Sequence, residues 1–245
     1  MLMRDRYQAA RSAGRPLIGG HRGNPAEKPE NTLASFESAI ASGVDLIECD
    51  VHLSFDGDLI VIHDHTVDRT TDGSGMVRTL STSELRALDA GQGERLPLLE
   101  EVLDVARGRV GLAIEIKQAP LPYPGLEEVL LATLGEDVGE VAVISFHHPS
   151  ILKLKLMEPR LQTGLLEVAR PVDPIVLLAQ AKADIHCAHY SGVDPELVTA
   201  VHEAGGWVGV WTVDDAVAVA WSKHCGVDSV FTNRPAEIGP LLRLP

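Results

Sequence analysis

The chain has 245 residues, of which 45% are hydrophobic, and it carries a formal net charge of −14 at pH 7. Its length and composition are typical of one globular α/β domain, and no apolar run approaches the roughly 20 residues that a membrane-spanning helix requires. The negative charge and the lack of a basic stripe argue against a nucleic-acid partner, although a metal or a few local cations could still attract an anionic substrate.

Short β-branched apolar runs alternate with longer amphipathic segments along the whole chain. This alternation is typical of β/α units that build a parallel sheet. The predicted strands are Leu17–Gly20, Leu46–Asp50, Leu59–His63, Leu112–Ile116, Val141–Ser145, Gln162–Leu166, Asp184–Ala188, Trp207–Trp211 and Ser229–Thr232. The predicted helix starts are Asn31 as an N-cap, a capping box at Ser81 and Glu84, Pro97, and Asp194-Pro195. Nine strands are one too many for an eight-stranded barrel.

The connection between the second and third runs resolves the count. If the second run continues to Leu53, only residues 54–58 separate it from the third, whereas a parallel crossover needs about a dozen residues or more. Asp56-Gly57 is a hairpin signal, so we expect the third run to return antiparallel at the rim. The sequence therefore predicts a TIM (β/α)8 barrel over residues 1–245 as a single domain. Residues 52–96 are predicted to form a lid-like insertion between the second strand and its helix.

Side chains that can bind a metal or transfer a proton cluster at the carboxyl ends of the predicted strands, where active sites of this fold are built. Because strand side chains alternate, Glu48 and Asp50 share one face, as do Glu115 and Lys117 on the next barrel strand. Three acids on inward faces would repel each other unless a cation neutralised them, and their hard oxygen atoms suit Mg²⁺ or Ca²⁺. The alternative is an ordinary ion network with Arg22 or Lys117.

Two histidines, His21 and His63, end adjacent segments next to these acids. Imidazole moves protons near neutral pH, so both are candidates for acid/base catalysis. Other strand ends supply candidate pocket residues, which are Phe146, Glu167, His189, Trp211 and Asn233. We expect surface or hydrogen-bonded loop positions for most of the remaining histidines, which are His52, His65, His147, His148, His186, His189, His202 and His224.

The stretch HRGNPAEKPENTLASFESAIASGVDLIECDVHLSFDGDLIVIHDHTVDRTTDGSG resembles the signature region of the glycerophosphodiester phosphodiesterase family. Further matching pieces follow in order, namely LPLLEEVLD, AIEIK, VISF, VWTVDD and GVDSVFTNRP. The resemblance spans nearly the whole chain, and the series HRG, PENT, ExDV, DG and HD is highly specific.

The resemblance implies a TIM barrel that hydrolyses glycerophosphodiesters, such as glycerophosphocholine or glycerophosphoethanolamine, to sn-glycerol 3-phosphate and an alcohol. It implies one divalent cation, Mg²⁺ or Ca²⁺, held by Glu48, Asp50 and Glu115. By the same resemblance, His21 and His63 are the acid/base residues and Arg22 and Lys117 contact the phosphate. Trp211 matches a residue of the pocket wall. The family usually shows an aspartate where this chain has Asn233. We expect that difference to alter substrate preference rather than to abolish activity.

Several questions stay open at this point. The nearby alternative is a lysophospholipase D-like or phospholipase-like enzyme that acts on lipid diesters, and the alternative from another class is a non-catalytic phosphate-ligand-binding barrel. The chain shows no basic amphipathic helix, so we expect a small-molecule substrate and no stable membrane association. The attacking group (water or a glycerol hydroxyl), the histidine that starts as base, the metal and a homodimer are all undecided.

The termini and the cysteines complete the prediction. Residues 1–16 contain charges but no apolar block, so they lack the pattern of a secretion signal, and we expect a cytoplasmic protein. Cys49, Cys187 and Cys225 are far apart and include no C-x-x-C pair. This argues against a disulfide framework and a zinc site, and we expect three buried free thiols.

Overall fold

The computed structural model describes residues 1–244, and within them eight parallel strands form a closed barrel surrounded by helices, as predicted. The elements are α1 (Met3–Ser12), β1 (Leu17–Gly20), α2 (Leu33–Ala41), β2 (Leu46–Leu53), β3 (Leu59–Val61), α3 (Thr82–Arg86), α4 (Leu99–Ala106), β4 (Gly111–Ile116), α5 (Leu126–Leu134), β5 (Val141–Ser145), α6 (His148–Met157), β6 (Gln162–Glu167), α7 (Pro174–Ala181), β7 (Ile185–His189), α8 (Pro195–Glu203), β8 (Trp207–Trp211), α9 (Ala216–Cys225), β9 (Ser229–Thr232) and α10 (Pro235–Arg243). Short 3₁₀ turns lie at Val77–Thr79, Gly135–Gly139 and Tyr190–Gly192.

The barrel strands follow the order β1-β9-β8-β7-β6-β5-β4-β2, and the parallel pairing of β1 with β2 closes the ring. The strand β3 is antiparallel to the end of β2, with Val51 opposite Val61 and Leu53 opposite Leu59. The hairpin predicted from Asp56-Gly57 is therefore confirmed. It is shorter than predicted, because the ladder ends at Val61 and leaves His63 beyond the last pair.

Side-chain alternation along β2 decides what enters the barrel. Ile47, Cys49 and Val51 face outward and join the large apolar core between the barrel and its helices. Leu46 joins a second core inside the barrel, where Met3 of α1 closes the amino-terminal end. Glu48 and Asp50 share the face of Leu46 and therefore lie inside the opposite, carboxyl-terminal end.

The segment between β3 and α4 has a small apolar core of its own, formed by Ile60, Ile62, Val67, Val77, Leu85, Ala90 and Leu96. The capping box predicted for α3 is present, since the Ser81 hydroxyl and the Glu84 carboxylate each bond the other residue's backbone amide. This core holds the segment in one arrangement beside the barrel mouth. The assignment of residues 52–96 as one unit stays a prediction.

Some local expectations are wrong. The N-cap of α2 is Thr32, whose side chain accepts from the Ser35 amide, whereas Asn31 has φ 57° and turns toward Asp50. His52 and His186 are buried rather than superficial, since both lie on barrel strands. The three cysteines are free and buried, as predicted. In residues 1–244, no helix has both the length and the apolar character needed to cross a membrane.

Candidate active site

Three acidic side chains meet inside the carboxyl-terminal end of the barrel. Glu48 and Asp50 come from β2 and Glu115 from β4, and Asp50 is the direct strand neighbour of Glu115. One carboxylate oxygen from each residue lies within 4.8 Å of the others. All three residues are buried, so the alternation of the two strands delivers three carboxylates to one point.

The electrostatics of this cluster favour a bound cation. Burial, and then the neighbouring acids Asp50 and Glu115, raise the pKa of Glu48 well above its usual range. Burial raises the pKa of Glu115 to about 7, with Asp50 adding to the effect against the opposing Lys117. For Asp50, burial is outweighed by Lys117 and Arg22, which hold its pKa below the usual range. The positive charge that the protein supplies is therefore too small to offset the burial of both glutamates in their ionised form.

Two basic side chains flank the acids without neutralising all of them. The Nζ atom of Lys117 lies 2.9 Å from Asp50 Oδ1 and 2.5 Å from Glu115 Oε1. Arg22 lies 3.4 Å from Asp50 through Nε and donates from its backbone amide to Glu48 Oε2 at 2.9 Å. Among the described residues, Glu48 forms no ion pair within 4 Å. The predicted ion network therefore exists, but it leaves one buried acid unpaired.

The histidine His21 follows β1 and has a neutral partner. Its Nδ1 atom lies 2.7 Å from Asn233 Oδ1, and the Asn233 amide nitrogen donates to Asp214 Oδ2 at 2.7 Å. Burial lowers the pKa of His21 to about 4, with Arg22 adding to the effect. His21 is therefore a neutral imidazole at pH 7.

The histidine His63 follows β3 and has a charged partner. Its Nδ1 atom lies 2.6 Å from Asp64 Oδ1, and Asp64 accepts from Arg69 Nε at 2.7 Å. Burial lowers the pKa of His63, while Asp50 and the bond to Asp64 oppose the shift. The His63 carbonyl also accepts from His52 Nε2 at 3.0 Å, which gives the buried His52 a structural role.

Two adjoining cavities open over the acids. The smaller, of about 120 Å³, reaches into the barrel and is lined by His21, Arg22, Trp211 and apolar side chains of the strands. The larger, of about 320 Å³, lies toward the segment after β4 and is lined by His65, Gln118 and His147, among others. The two share the lining residues His63, Glu115, Lys117 and Phe146. A cleft of about 550 Å³ at the other end of the barrel is lined by Arg11, Arg15 and Asp228, and it is remote from this chemistry.

The remaining predicted pocket residues are distributed unevenly. Trp211 packs edge-on against Phe146 and His189, with ring centroids 5.7 and 5.5 Å apart. Glu167 pairs with His148 at 3.3 Å. Neither Glu167 nor His189 lines either cavity over the acids. Asn233 reaches the site only through His21.

Sequence reasoning missed the residues that hold these groups in place. They are Glu30, Asn31, Asp64, Arg69 and Asp214. Four of them stand in the stretches PENT, HD and WTVDD, so the motifs carried the signal. Their function as hydrogen-bond partners depends on contacts between distant segments, and spacing alone does not reveal these contacts.

Comparison with known proteins agrees with this arrangement. A model of the glycerophosphoryl diester phosphodiesterase family matches residues 21–237. The chain is also similar to the glycerophosphodiester phosphodiesterase of Caldanaerobacter subterraneus, with 39% identity over 93% of this chain and 98% of the relative. The chain belongs to the glycerophosphoryl diester phosphodiesterase family. It is therefore an enzyme, a phosphodiesterase.

Solved structures of similar proteins have the same fold. A phosphodiesterase from Oleispira antarctica, solved in complex with the product sn-glycerol-3-phosphate, has a TM-score of 0.84 and 30% identity, covering 95% of this chain and 99% of its own. A glycerophosphodiester phosphodiesterase from Agrobacterium tumefaciens has a TM-score of 0.80 and 31% identity, covering 91% and 99%. The shared fold thus extends over nearly the whole of each chain.

Proposed function

We propose that this phosphodiesterase hydrolyses glycerophosphodiesters, such as glycerophosphocholine or glycerophosphoethanolamine, to sn-glycerol 3-phosphate and an alcohol. The observation that carries the proposal is the convergence of three buried carboxylates, two basic side chains (Arg22 and Lys117) and two histidines around one pair of cavities. The product bound to the Oleispira antarctica relative supports the same substrate class.

Glu48, Asp50 and Glu115 would hold one divalent cation, Mg²⁺ or Ca²⁺. Three facts support the fit: the donors are all oxygen atoms, the pKa of each glutamate is raised, and the buried Glu48 has no ion pair within 4 Å among residues 1–244. When bound, such a cation polarises a phosphoryl oxygen and offsets the charge that develops in the reaction.

The two basic side chains would bind the phosphate. Arg22 and Lys117 line the smaller cavity beside the acids. Both are cationic at pH 7, and the Asp50 and Glu115 carboxylates raise the pKa of Lys117 further, against its burial. Fixed cations in a partly buried cavity stabilise the growing negative charge on the non-bridging oxygens.

The two histidines would divide the proton transfers. His21 has a neutral amide partner and a pKa lowered to about 4, so it offers a free nitrogen as general base to the attacking group, whether water or the glycerol hydroxyl. His63 bonds the Asp64 carboxylate, which opposes the lowering of its pKa by burial and favours the imidazolium form, so we assign it as the general acid for the departing alcohol. The shape of the site agrees with this division, since the smaller cavity beside His21 suits the glycerol and the larger one beside His63 suits the alcohol.

A lipid diester is the second candidate substrate. Phe146, at the mouth of the barrel, is 45% exposed, and Val168 and Val172, on the loop after β6, are 63% and 101% exposed. Apolar side chains at the carboxyl-terminal end of the barrel could contact an acyl chain. Turnover of lysophosphatidylcholine above that of glycerophosphocholine would establish this alternative.

The decisive experiment measures sn-glycerol 3-phosphate release from glycerophosphocholine with defined Mg²⁺ or Ca²⁺. We expect His21→Ala and His63→Ala each to lose about 10²–10⁴-fold in rate, whereas His224→Ala, an exposed histidine on α9, should retain the wild-type rate. EDTA should abolish activity, and either cation should restore it. Full activity in EDTA would contradict the metal site, and wild-type rates in either of the first two variants would contradict the acid/base assignment.

A further inference from the structure

The carboxylate of Asp214, on the loop after β8, lies behind Asn233 and outside both cavities. Its Oδ1 atom accepts from the Thr232 hydroxyl at 2.9 Å and from the Asn233 backbone amide at 2.8 Å. Its Oδ2 atom accepts from Asn233 Nδ2 at 2.7 Å. Asn233 Oδ1 then lies 2.7 Å from His21 Nδ1. Asp214 is thereby connected to His21 through a single side-chain amide.

The chemistry of these groups fixes every proton in the chain of bonds. An ionised carboxylate only accepts hydrogen bonds, so the amide must present its NH₂ group to Asp214. The amide oxygen must then face His21, and because that oxygen only accepts, His21 Nδ1 must carry the ring proton. The other ring nitrogen, Nε2, is left without a proton and can act as an acceptor.

We propose that Asp214 is a positioning residue that fixes the tautomer of His21 through the amide of Asn233. This inference rests on the proposed function, in which His21 accepts a proton. A carboxylate at position 233 would select this tautomer by itself, since it has no donor to present. An amide can present either its oxygen or its NH₂ group to His21, so Asn233 needs a second residue to orient it. Asp214 does so by accepting from the NH₂ group.

The experiment is a reciprocal exchange of the two side chains. Asp214→Asn faces one amide with another, so Asn233 loses its fixed orientation and kcat should fall about 10-fold or more, with KM little changed. Asn233→Asp places two carboxylates in contact, which should lower kcat at least as far. The double variant D214N/N233D restores one amide and one carboxylate in the reverse order, and we expect it to recover most of the wild-type kcat.

The measurements are kcat and KM for glycerophosphocholine at saturating Mg²⁺, with the thermal midpoint recorded in parallel. Asp215→Asn is the matched control, because Asp215 caps α9 and has no bond to His21 or Asn233. Nitrogen-15 NMR of labelled histidine, assigned by comparison with His21→Ala, should show a proton on Nδ1 of His21 in the wild type and a mixture of tautomers in Asp214→Asn.

The outcomes separate this inference from the proposed function. A wild-type protein that releases no sn-glycerol 3-phosphate would contradict the proposed function, whatever the tautomer. A proton on Nε2 in the active wild type would overturn the inference even if Asp214→Asn failed to fold. So would a double variant that is folded but no more active than the single ones, because a structural role for each residue predicts additive losses.

Discussion

Glu30 and Arg69 form a two-pronged ion pair across the barrel mouth, with Arg69 Nη1 donating to Glu30 Oε2 at 2.9 Å and Nη2 to Oε1 at 2.8 Å. Glu30 lies on the loop after β1 and also accepts from Arg22 at 2.9 Å. Arg69 lies beyond β3 and also donates to Asp64, the partner of His63. One pair of side chains thus connects the proposed phosphate-binding arginine to the proposed general acid.

Removing the arginine of this pair should impair catalysis more than binding. In Arg69→Met, Asp64 loses its fixed partner, so the ring of His63 loses orientation, and we expect kcat to fall about 10-fold with a smaller change in KM. The measurement is steady-state kinetics on glycerophosphocholine. Arg107→Met is the control, since Arg107 is similarly exposed but pairs with Asp104 and Asp137 elsewhere. Equal losses in both variants would show a general effect of removing surface charge.

The barrel and its acid cluster could be predicted because they depend on local periodicity. Alternation along β2 places Cys49 outward and Glu48 and Asp50 inward, and the short Asp56-Gly57 connection requires a hairpin. These features follow from a few consecutive residues. Both features could therefore be predicted from the sequence alone.

The partners of the site could not be predicted, because they join segments far apart in the chain. Asn31 is of a residue type that favours helix N-caps, yet its left-handed backbone turns the side chain toward Asp50. Thr32 is the N-cap instead. Asp214 stands next to Asp215, a residue of the same type that merely caps α9. Only the three-dimensional structure distinguishes the two aspartates.

The ammonium group of Lys117 partly neutralises the carboxylates that are proposed to bind the metal. It lies within 3 Å of Asp50 and Glu115. In Lys117→Met, the metal-free protein should be less stable, because two buried carboxylates lose their nearest cation. Divalent cations should then stabilise the variant more than they stabilise the wild type, since they no longer compete with the lysine.

The measurement is the shift in thermal midpoint between EDTA and saturating Mg²⁺ or Ca²⁺. Lys153→Met, which removes a half-exposed lysine paired with Glu127 and Glu128, should show the wild-type shift. A shift in Lys117→Met equal to that of the wild type would mean that the cation does not bind at these carboxylates.

The glycine that follows Arg22 is required by both its backbone and its surroundings. Gly23 has φ 87°, and a Cβ atom there would lie 2.6 Å from the backbone carbon of Ser35. Gly14 has φ 68° but open space around it. We expect Gly14→Ala to cost about 1–2 kcal/mol of unfolding free energy from backbone strain alone.

Gly23→Ala should cost several kcal/mol more, because the clash involves backbone that cannot rotate away, and it should displace His21 and Arg22. Urea unfolding at equilibrium compares the two variants, and kinetics on glycerophosphocholine report on the site. Similar stabilities in the two variants would show that the loop after β1 can shift at little cost.

The buried ring of His186 should make the fold sensitive to acid. Neither ring nitrogen has a hydrogen-bond partner among residues 1–244, and burial, with His148 and Arg170 adding to it, lowers the pKa of His186 to about 4. The folded pKa lies below the unfolded value of about 6.5. Above pH 6.5 the ring is neutral in both the folded and the unfolded state, so it adds no pH dependence there, and stability falls as pH decreases from 6.5 toward 4.

At pH 5 this group should lower the unfolding free energy by roughly 2 kcal/mol relative to pH 8. In His186→Leu that part of the pH dependence should vanish, and the variant should also be more stable at pH 8, because two unsatisfied nitrogens leave the core. Urea unfolding at pH 5 and pH 8 measures both effects, with the exposed His224→Leu as the control. If the wild type and His186→Leu lost the same stability between pH 8 and pH 5, the acid sensitivity would have to arise at other groups, with His52, whose pKa burial also lowers to about 4, the next to replace.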